Sequence, residues 1–571
     1  MTKTSQTITA GGAILVRLKA VGVDYIFANS GTDFPPIIEG LAEAQAKRID
    51  LPKALVIPHE NAAMGMAHGY FLATGRAQAV MAHTNVGLAN CAIGAINAAT
   101  EHVPVLLFSG RTPATEQGRL GSRTVPIGWG QEMRDQTALV REATKWDYEL
   151  KFPEQALDVV DRAYAIANST PKGPVYVSLP REVLCEPCPS ERIGDASRMA
   201  PVRIAPTSVD LRQAAEWLAA AQNPVIVAQR GAGSPEAFAT LAELADAWGI
   251  PVVQYWAIQL AIASDHPMSV GSNPMPFLGE ADVVLALDCL APWSPETHKL
   301  APGCRVIQAG PDPLYSRFPV RDFAADLSLP GETAEIVLSL AAAMQPLLAE
   351  RNAACRTRHA RIAASSSAIR ARVRADAEAG SQGAPMTKAW VSLCLSNAIA
   401  GRDATVLSEL GCPLDPLTLN AAGSWYQEPH SGGLGWSFPS ALGMQLAAPD
   451  RVIVATMGDG SYMFSNPVAC HQIAEALGLP VLVLVLNNQE WGAVRQSVIG
   501  IYPNGYAAKT NQVPLVSLEP TPDFTKVAQA SRAWTARVDE AAQLPGVLAA
   551  ALEHIAANRT QALVEIRVRP A

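Results

Sequence analysis

The sequence predicts an α/β protein built from three doubly wound parallel sheets. Short apolar runs alternate with helical runs along the chain, the pattern of strands joined by helical crossovers. Nearly every apolar run ends on small or polar residues, as strands do when their carboxyl ends face a ligand crevice. The length, 571 residues with 49% hydrophobic and 17% charged, is enough for about three domains with a core each.

The first unit, 1–184, carries the strand candidates "DYIFANSG", "KALVIPHE", "AQAVMAHT", "VPVLLFSG" and "GPVYVSLP". Residues 185–207 are proline-rich and lack periodicity, which predicts a linker. A second unit, 208–344, repeats the rhythm with "NPVIVAQRGAG", "GIPVVQYW", "ADVVLALD" and "CRVIQAGPD". Residues 345–385 are charged and poor in large apolar residues, so a helical connector is expected, its arginines forming a solvated face. The third unit, 386–571, contributes "ATVLSELG", "RVIVATMGDG", "LPVLVLVLNNQ" and "QALVEIRV". Three units of one class suggest duplication, without a residue-level repeat to prove it.

Net charge is −8 and no run of like charges occurs, which argues against a nucleic-acid or anionic-membrane surface. Small molecules and further copies of the chain are the expected partners. Nine cysteines, an odd number scattered over a large chain, argue against a disulfide framework and for a reducing cytoplasm. The "CEPC" pair at Cys185 and Cys188 has no second pair to complete a zinc site. The start turns helical too soon for a signal peptide, and no apolar run of about 18 residues appears.

One stretch carries chemistry: "MGDGSYMFSNPVACHQIAEALGLPVLVLVLNNQEWG", Met457 to Gly492. Asp459 and the pair Asn487–Asn488 each follow an apolar strand, so two strands of one sheet can deliver them to one place. A carboxylate, an amide oxygen and a main-chain carbonyl are hard donors suited to magnesium or calcium. Glycines on both sides of Asp459 admit a diphosphate to the backbone, and the following helix start offers N–H groups to anionic oxygens. Alone, "GDG" reads as a turn; an asparagine pair 28 and 29 positions on makes the combination far more specific.

That combination resembles the thiamine diphosphate signature, and the three-unit order extends the resemblance over nearly the whole chain. The resemblance implies two thiamine diphosphate-binding folds flanking a Rossmann-like central domain. It implies that Asp459, the Asn488 side chain and the Glu490 carbonyl bind magnesium, with Gly460 and Ser461 at the diphosphate. In "VIPHENAAMGMAHGYFLATG", Glu60 follows an apolar strand and opens a helix of small residues; a carboxylate there is costly to bury without a partner. The resemblance supplies that partner, the cofactor's pyrimidine, whose imino tautomer removes the thiazolium C2 proton to give the ylide. Leu434 in "HSGGLGWSFPSALG" is expected to prop the bent cofactor, with Gly432 and Gly433 permitting close backbone approach. The family's shared sites imply a homo-oligomer, at least a dimer and expected as a dimer of dimers.

Within that superfamily, "GSWYQEPHSGGLGWSFPSALGMQLAAPDRVIVATMGDGS" and "NSGTDFPP" most resemble benzoylformate decarboxylases, with Thr32 where that group carries serine. His83 in "AHTNVGLAN" falls where those enzymes carry an active-site histidine, suited to moving protons near neutral pH. The match is incomplete: in the central unit proline stands near their further histidine, and the nearest histidine is His298. Gln131 and Glu132 meanwhile resemble a segment of acetohydroxyacid synthases, but those enzymes' central flavin segment is missing, so FAD is not expected. The implied function is magnesium-dependent decarboxylation of a 2-keto acid through ylide and enamine. The alternatives are an acetolactate- or acyloin-forming carboligase, or a carbon–carbon hydrolase or lyase on the same cofactor. A noncatalytic cofactor-retaining subunit is disfavoured by Glu60, since binding alone needs no proton relay.

Overall fold

A computed structural model describes residues 8–189 and 192–570. Residues 1–7, Ser190–Glu191 and Ala571, which belong to the expected first unit, linker and third unit, lie outside the described residues. The chain divides into two compact units: residues 1–202, 429–450 and 465–479 in the first, and 203–428, 451–464 and 480–571 in the second.

The first unit holds a six-stranded parallel sheet in the order Lys53–Val56, Tyr25–Ala28, Gln78–Ala82, Val105–Arg111, Val175–Pro180, Asp147–Glu149. Strands Gln78–Ala82 and Val175–Pro180 are buried along their full length, and Val105–Arg111 up to its last residue, because helices cover both faces. Helix Glu60–Thr74 starts where His59 accepts the Asn61 N–H and stops at Gly75, whose φ of 69° suits glycine. Its small residues have a packing cause. A Cβ on Gly69 would lie 1.8 Å from the Ser440 carbonyl oxygen, and one on Gly443 2.0 Å from that of Met66. Helix Ser437–Ala447 therefore meets it backbone to backbone. That helix comes from the third expected unit, so compactness here does not follow chain order.

The second unit contains two parallel sheets. The five-stranded one runs Val252–Val253, Pro224–Ala228, Val283–Leu287, Arg305–Gly310, Leu327–Pro330. The six-stranded one runs Trp425–Gln427, Ala404–Glu409, Val452–Gly458, Leu482–Asn487, Ala562–Arg567, Trp534–Val538. The doubly wound parallel α/β class expected from the sequence is what the chain adopts. Sequence reading missed the edge strands Asp147–Glu149, Leu327–Pro330, Trp425–Gln427 and Trp534–Val538, which are short or only partly buried and carry no long apolar run.

Helix Leu348–Ala379 fills most of residues 345–385. Most of its arginines are exposed, but Arg358 is not. Its guanidinium donates to the carbonyls of Ala221, Gln222, Trp248 and Gly249, satisfying oxygens left over where helices Ser208–Ala220 and Pro235–Trp248 end. The solvated-face expectation fails at Arg358 because these orphan carbonyls need a donor, and it fails in part at half-buried Arg370, which donates to the His266 carbonyl at 3.3 Å. No helix among the described residues is long and apolar enough to cross a membrane.

Candidate active site

In the second unit, strands Val452–Gly458 and Leu482–Asn487 are parallel neighbours, with Gly458 opposite Leu486. Asp459 and Asn488 therefore leave the sheet from the same edge. Asp459 is 2% exposed; one carboxylate oxygen accepts the Gly460 N–H at 3.0 Å and the other the Gln489 N–H at 2.8 Å. The asparagine pair splits, as successive strand side chains must. Asn487 donates to Glu565 at 2.9 Å, whereas Asn488 Oδ1 stays at the turn, 3.3 Å from the Glu490 N–H. Gln489, at φ 61°, makes the reversal. The Glu490 carbonyl accepts the Gly492 N–H at 2.9 Å, and its carboxylate lies 3.7 Å from Arg495.

This turn fits a divalent cation and a diphosphate. The Asp459 carboxylate is buried against main-chain N–H groups, and burial pushes its carboxyl above the usual range, with Lys388 opposing. A metal would offset that cost. Carboxylate, amide and carbonyl oxygens form a hard donor set suited to magnesium. A Cβ on Gly460 would lie 2.2 Å from the Trp491 ring, so glycine is what lets the indole close over the turn. Ser461 is buried in the first helical turn behind Asp459.

Beside this turn, at the end of strand Ala404–Glu409, is a cavity of about 500 Å³ whose lining includes Trp256, His298, Lys388, Cys412 and Glu428. Lys388 donates to the Leu410 carbonyl at 2.6 Å, and burial lowers its pKa. Glu428 accepts the Leu410 N–H at 3.3 Å; burial, then the Glu409 charge, pushes it up to about 7. Leu410 and Trp256 hold left-handed backbone at φ 54° and 48°. Sequence reasoning singled out none of Lys388, Glu409 and Glu428. Glu409 alone had a signal, the pattern of a carboxylate ending an apolar strand.

In the first unit, Glu60 is 6% exposed at the start of its helix. Its two oxygens accept the side-chain amides of Asn29 and Asn90, each at 2.9 Å. A Cβ on Gly87 would come within 2.9 Å of the carboxylate. His83 contacts Asp33 through Nδ1 and the Gln131 amide nitrogen through Nε2, the latter at 3.1 Å. The hydrogen bond to Asp33 raises the histidine's pKa, against desolvation. Thr32 is exposed, and its carbonyl accepts Arg181 at 3.0 Å; Asp33, next in sequence, is the residue brought to His83. Gly432 has φ 66°, the Gly433 carbonyl accepts Asn97 at 2.8 Å, and Leu434 is half-buried. Glu132 bridges Arg111 and Arg123.

A buried carboxylate held by amides in the first unit and a buried Asp–Asn turn in the second are the features expected of the class of thiamine diphosphate enzymes. Family models agree: residues 8–139, 211–337 and 414–566 match the N-terminal TPP-binding, central and C-terminal TPP-binding domains of thiamine pyrophosphate enzymes. The chain belongs to this superfamily, among its 2-keto acid decarboxylases and carboligases. It is 27% identical to a probable 2-ketoarginine decarboxylase of Pseudomonas aeruginosa, covering 92% of this chain and 88% of that one. An acetolactate synthase of Mycobacterium bovis is 26% identical over 92% and 83% of the two chains. A benzoylformate decarboxylase of Pseudomonas aeruginosa is 25% identical over 84% and 85%. The structure of a Rhodococcus jostii thiamine diphosphate-dependent 4-hydroxybenzoylformate decarboxylase shares the fold, with a TM-score of 0.77, 24% identity and 99% of both chains covered.

Proposed function

We propose that this protein decarboxylates a 2-keto acid to an aldehyde with thiamine diphosphate and magnesium, as a homo-oligomer. The observation that carries this reading is Glu60: a buried carboxylate whose oxygens meet two amides and, among the described residues, no lysine or arginine. Such a group is expensive unless it serves a bound partner. When bound, thiamine diphosphate supplies a nucleophilic thiazolium carbon and an electron sink for the departing carboxylate.

The chain's own residues supply the rest. Asp459, Asn488 Oδ1 and the Glu490 carbonyl would hold magnesium, and Gly460 and Ser461 the diphosphate. Gly432 and Gly433 would admit the cofactor, and Leu434 would prop it. Glu60 would hold a proton at its carboxylate against the pyrimidine ring. Decarboxylation replaces a carboxylate by hydrogen on the carbonyl carbon, so the site needs a proton donor, and His83 Nε2 is the group assigned to it. Thr32 carries no distinct role in this scheme.

One observation favours a second reading. The Gln131 amide nitrogen lies 3.1 Å from that same His83 nitrogen, and an Nε2 that accepts the amide's hydrogen bond is not donating a proton, which suits passing the acyl unit to a carbonyl acceptor instead. A panel of 2-keto acids from pyruvate to benzoylformate, with protein, magnesium and cofactor, separates the two. Carbon dioxide with free aldehyde supports decarboxylation, and an acyloin or acetolactate-type product promotes ligation. Bound cofactor without carbon dioxide from any acid would overturn both readings and point to carbon–carbon cleavage.

A further inference from the structure

We infer that Asp33 is a positioning residue that orients His83 through Nδ1 and holds it as an imidazolium, leaving Nε2 to deliver a proton. The inference rests on the proposed role of His83.

The contact is built by the backbone around it. Asp33 is 4% exposed, and among the described residues it pairs with no lysine or arginine. Its two oxygens meet His83 Nδ1 and the Thr84 N–H, the latter at 3.2 Å. A buried carboxylate so placed needs a counter-charge, and the imidazole is the group in reach. Three backbone features keep it there. A Cβ on Gly31 would sit 2.0 Å from His83 Nδ1. One on Gly110 would sit 1.5 Å from the Asp33 carboxylate. Thr84, a β-branched residue, holds φ 40° while presenting its N–H to Asp33, a conformation that persists only when its surroundings enforce it.

Among the described residues, the charged groups acting on the ring are anionic: Asp33 in contact and Glu60 through space. Gln131 is neutral, and its amide can turn to offer oxygen to Nε2–H or nitrogen to a bare Nε2. Both protonation states of the histidine are therefore served without moving Asp33, so the proton can leave from Nε2 while Nδ1 stays bonded.

Diethyl pyrocarbonate modification of the full-length holoenzyme, followed by peptide mass spectrometry from pH 5 to 9, tests this without relying on turnover, since only neutral imidazole reacts. In the wild type, reactive His83 should emerge at higher pH than His59 and His266, both of which burial makes less basic. In Asp33→Asn the His83 profile should move to lower pH, and the alkaline limb of kcat should move with it. The inference is overturned if wild-type His83 titrates with or below His59 and His266, a comparison that needs no variant. It is equally overturned if Asp33→Asn folds and leaves the His83 profile in place. A shifted modification profile with an unmoved kcat limb would uphold the dyad and refute proton delivery by His83 in the proposed reaction.

Discussion

Glu60→Gln separates catalysis from folding because the two depend on the carboxylate in opposite ways. Each Glu60 oxygen accepts one asparagine amide at 2.9 Å. A glutamine keeps one acceptor and turns an NH2 toward the other asparagine, which must flip its own amide to offer oxygen. Losing one charge-assisted hydrogen bond costs about 1.5–3 kcal/mol. Removing a buried charge returns several kcal/mol of desolvation penalty. These terms offset to within about 1–2 kcal/mol on the same principles, so the thermal midpoint should move by only a few degrees. Turnover has no such offset: without the carboxylate the cofactor's proton relay is lost, and kcat should fall about 10²–10⁴-fold. Steady-state rates should be read beside calorimetric cofactor affinity and thermal unfolding. A wild-type kcat, or a rate loss explained wholly by weaker cofactor binding, would refute the reasoning.

Three further perturbations follow from single contacts. Gly460→Ala forces a methyl into the Trp491 ring, 2.2 Å from the new Cβ; cofactor affinity with magnesium, measured by tryptophan quenching, should fall at least about tenfold, near the 1.4 kcal/mol of mild overpacking. Gly69→Ala sets a methyl 1.8 Å from the Ser440 carbonyl and should cost about 1–3 kcal/mol of stability, and an unchanged unfolding midpoint would contradict the backbone-to-backbone packing. Glu428 is held up to about 7 from an ordinary 4.5 by burial, so the native state binds the extra proton and stability drains as pH rises from about 4.5 to 7. In the cofactor-free protein Glu428→Gln should raise the midpoint relative to wild type at pH 8 and change it little at pH 4; equal effects at both would contradict that sign.

Residues whose meaning is local were readable from the sequence. Asp459 and Asn488 each end an apolar run, so neighbouring parallel strands had to present them at one sheet edge. Glu60 was conspicuous because a carboxylate opening a helix of small residues lacks a local partner. The division of labour between Asn487 and Asn488 was not readable, since it depends on Glu565, 78 positions away, receiving the first amide. In "NSGTDFPP" the pattern points to Thr32, whereas the adjacent Asp33 meets His83, because a pattern cannot tell which of two neighbouring side chains turns inward.

The sequence by itself determined the α/β class, the parallel sheets and the superfamily, since strand periodicity and the spaced Asp–Asn turn are properties of contiguous chain. Only the tertiary structure decided which polar groups share a burial site. Asn29 and Asn90 on Glu60, Asp33 on His83, and Lys388 and Glu428 on the two main-chain groups of Leu410 are pairings across long chain separations. So is Arg358 on the ends of two helices. Each exists because buried charge and orphan carbonyls must find partners wherever the sheets bring them, a requirement of packing that no local pattern encodes.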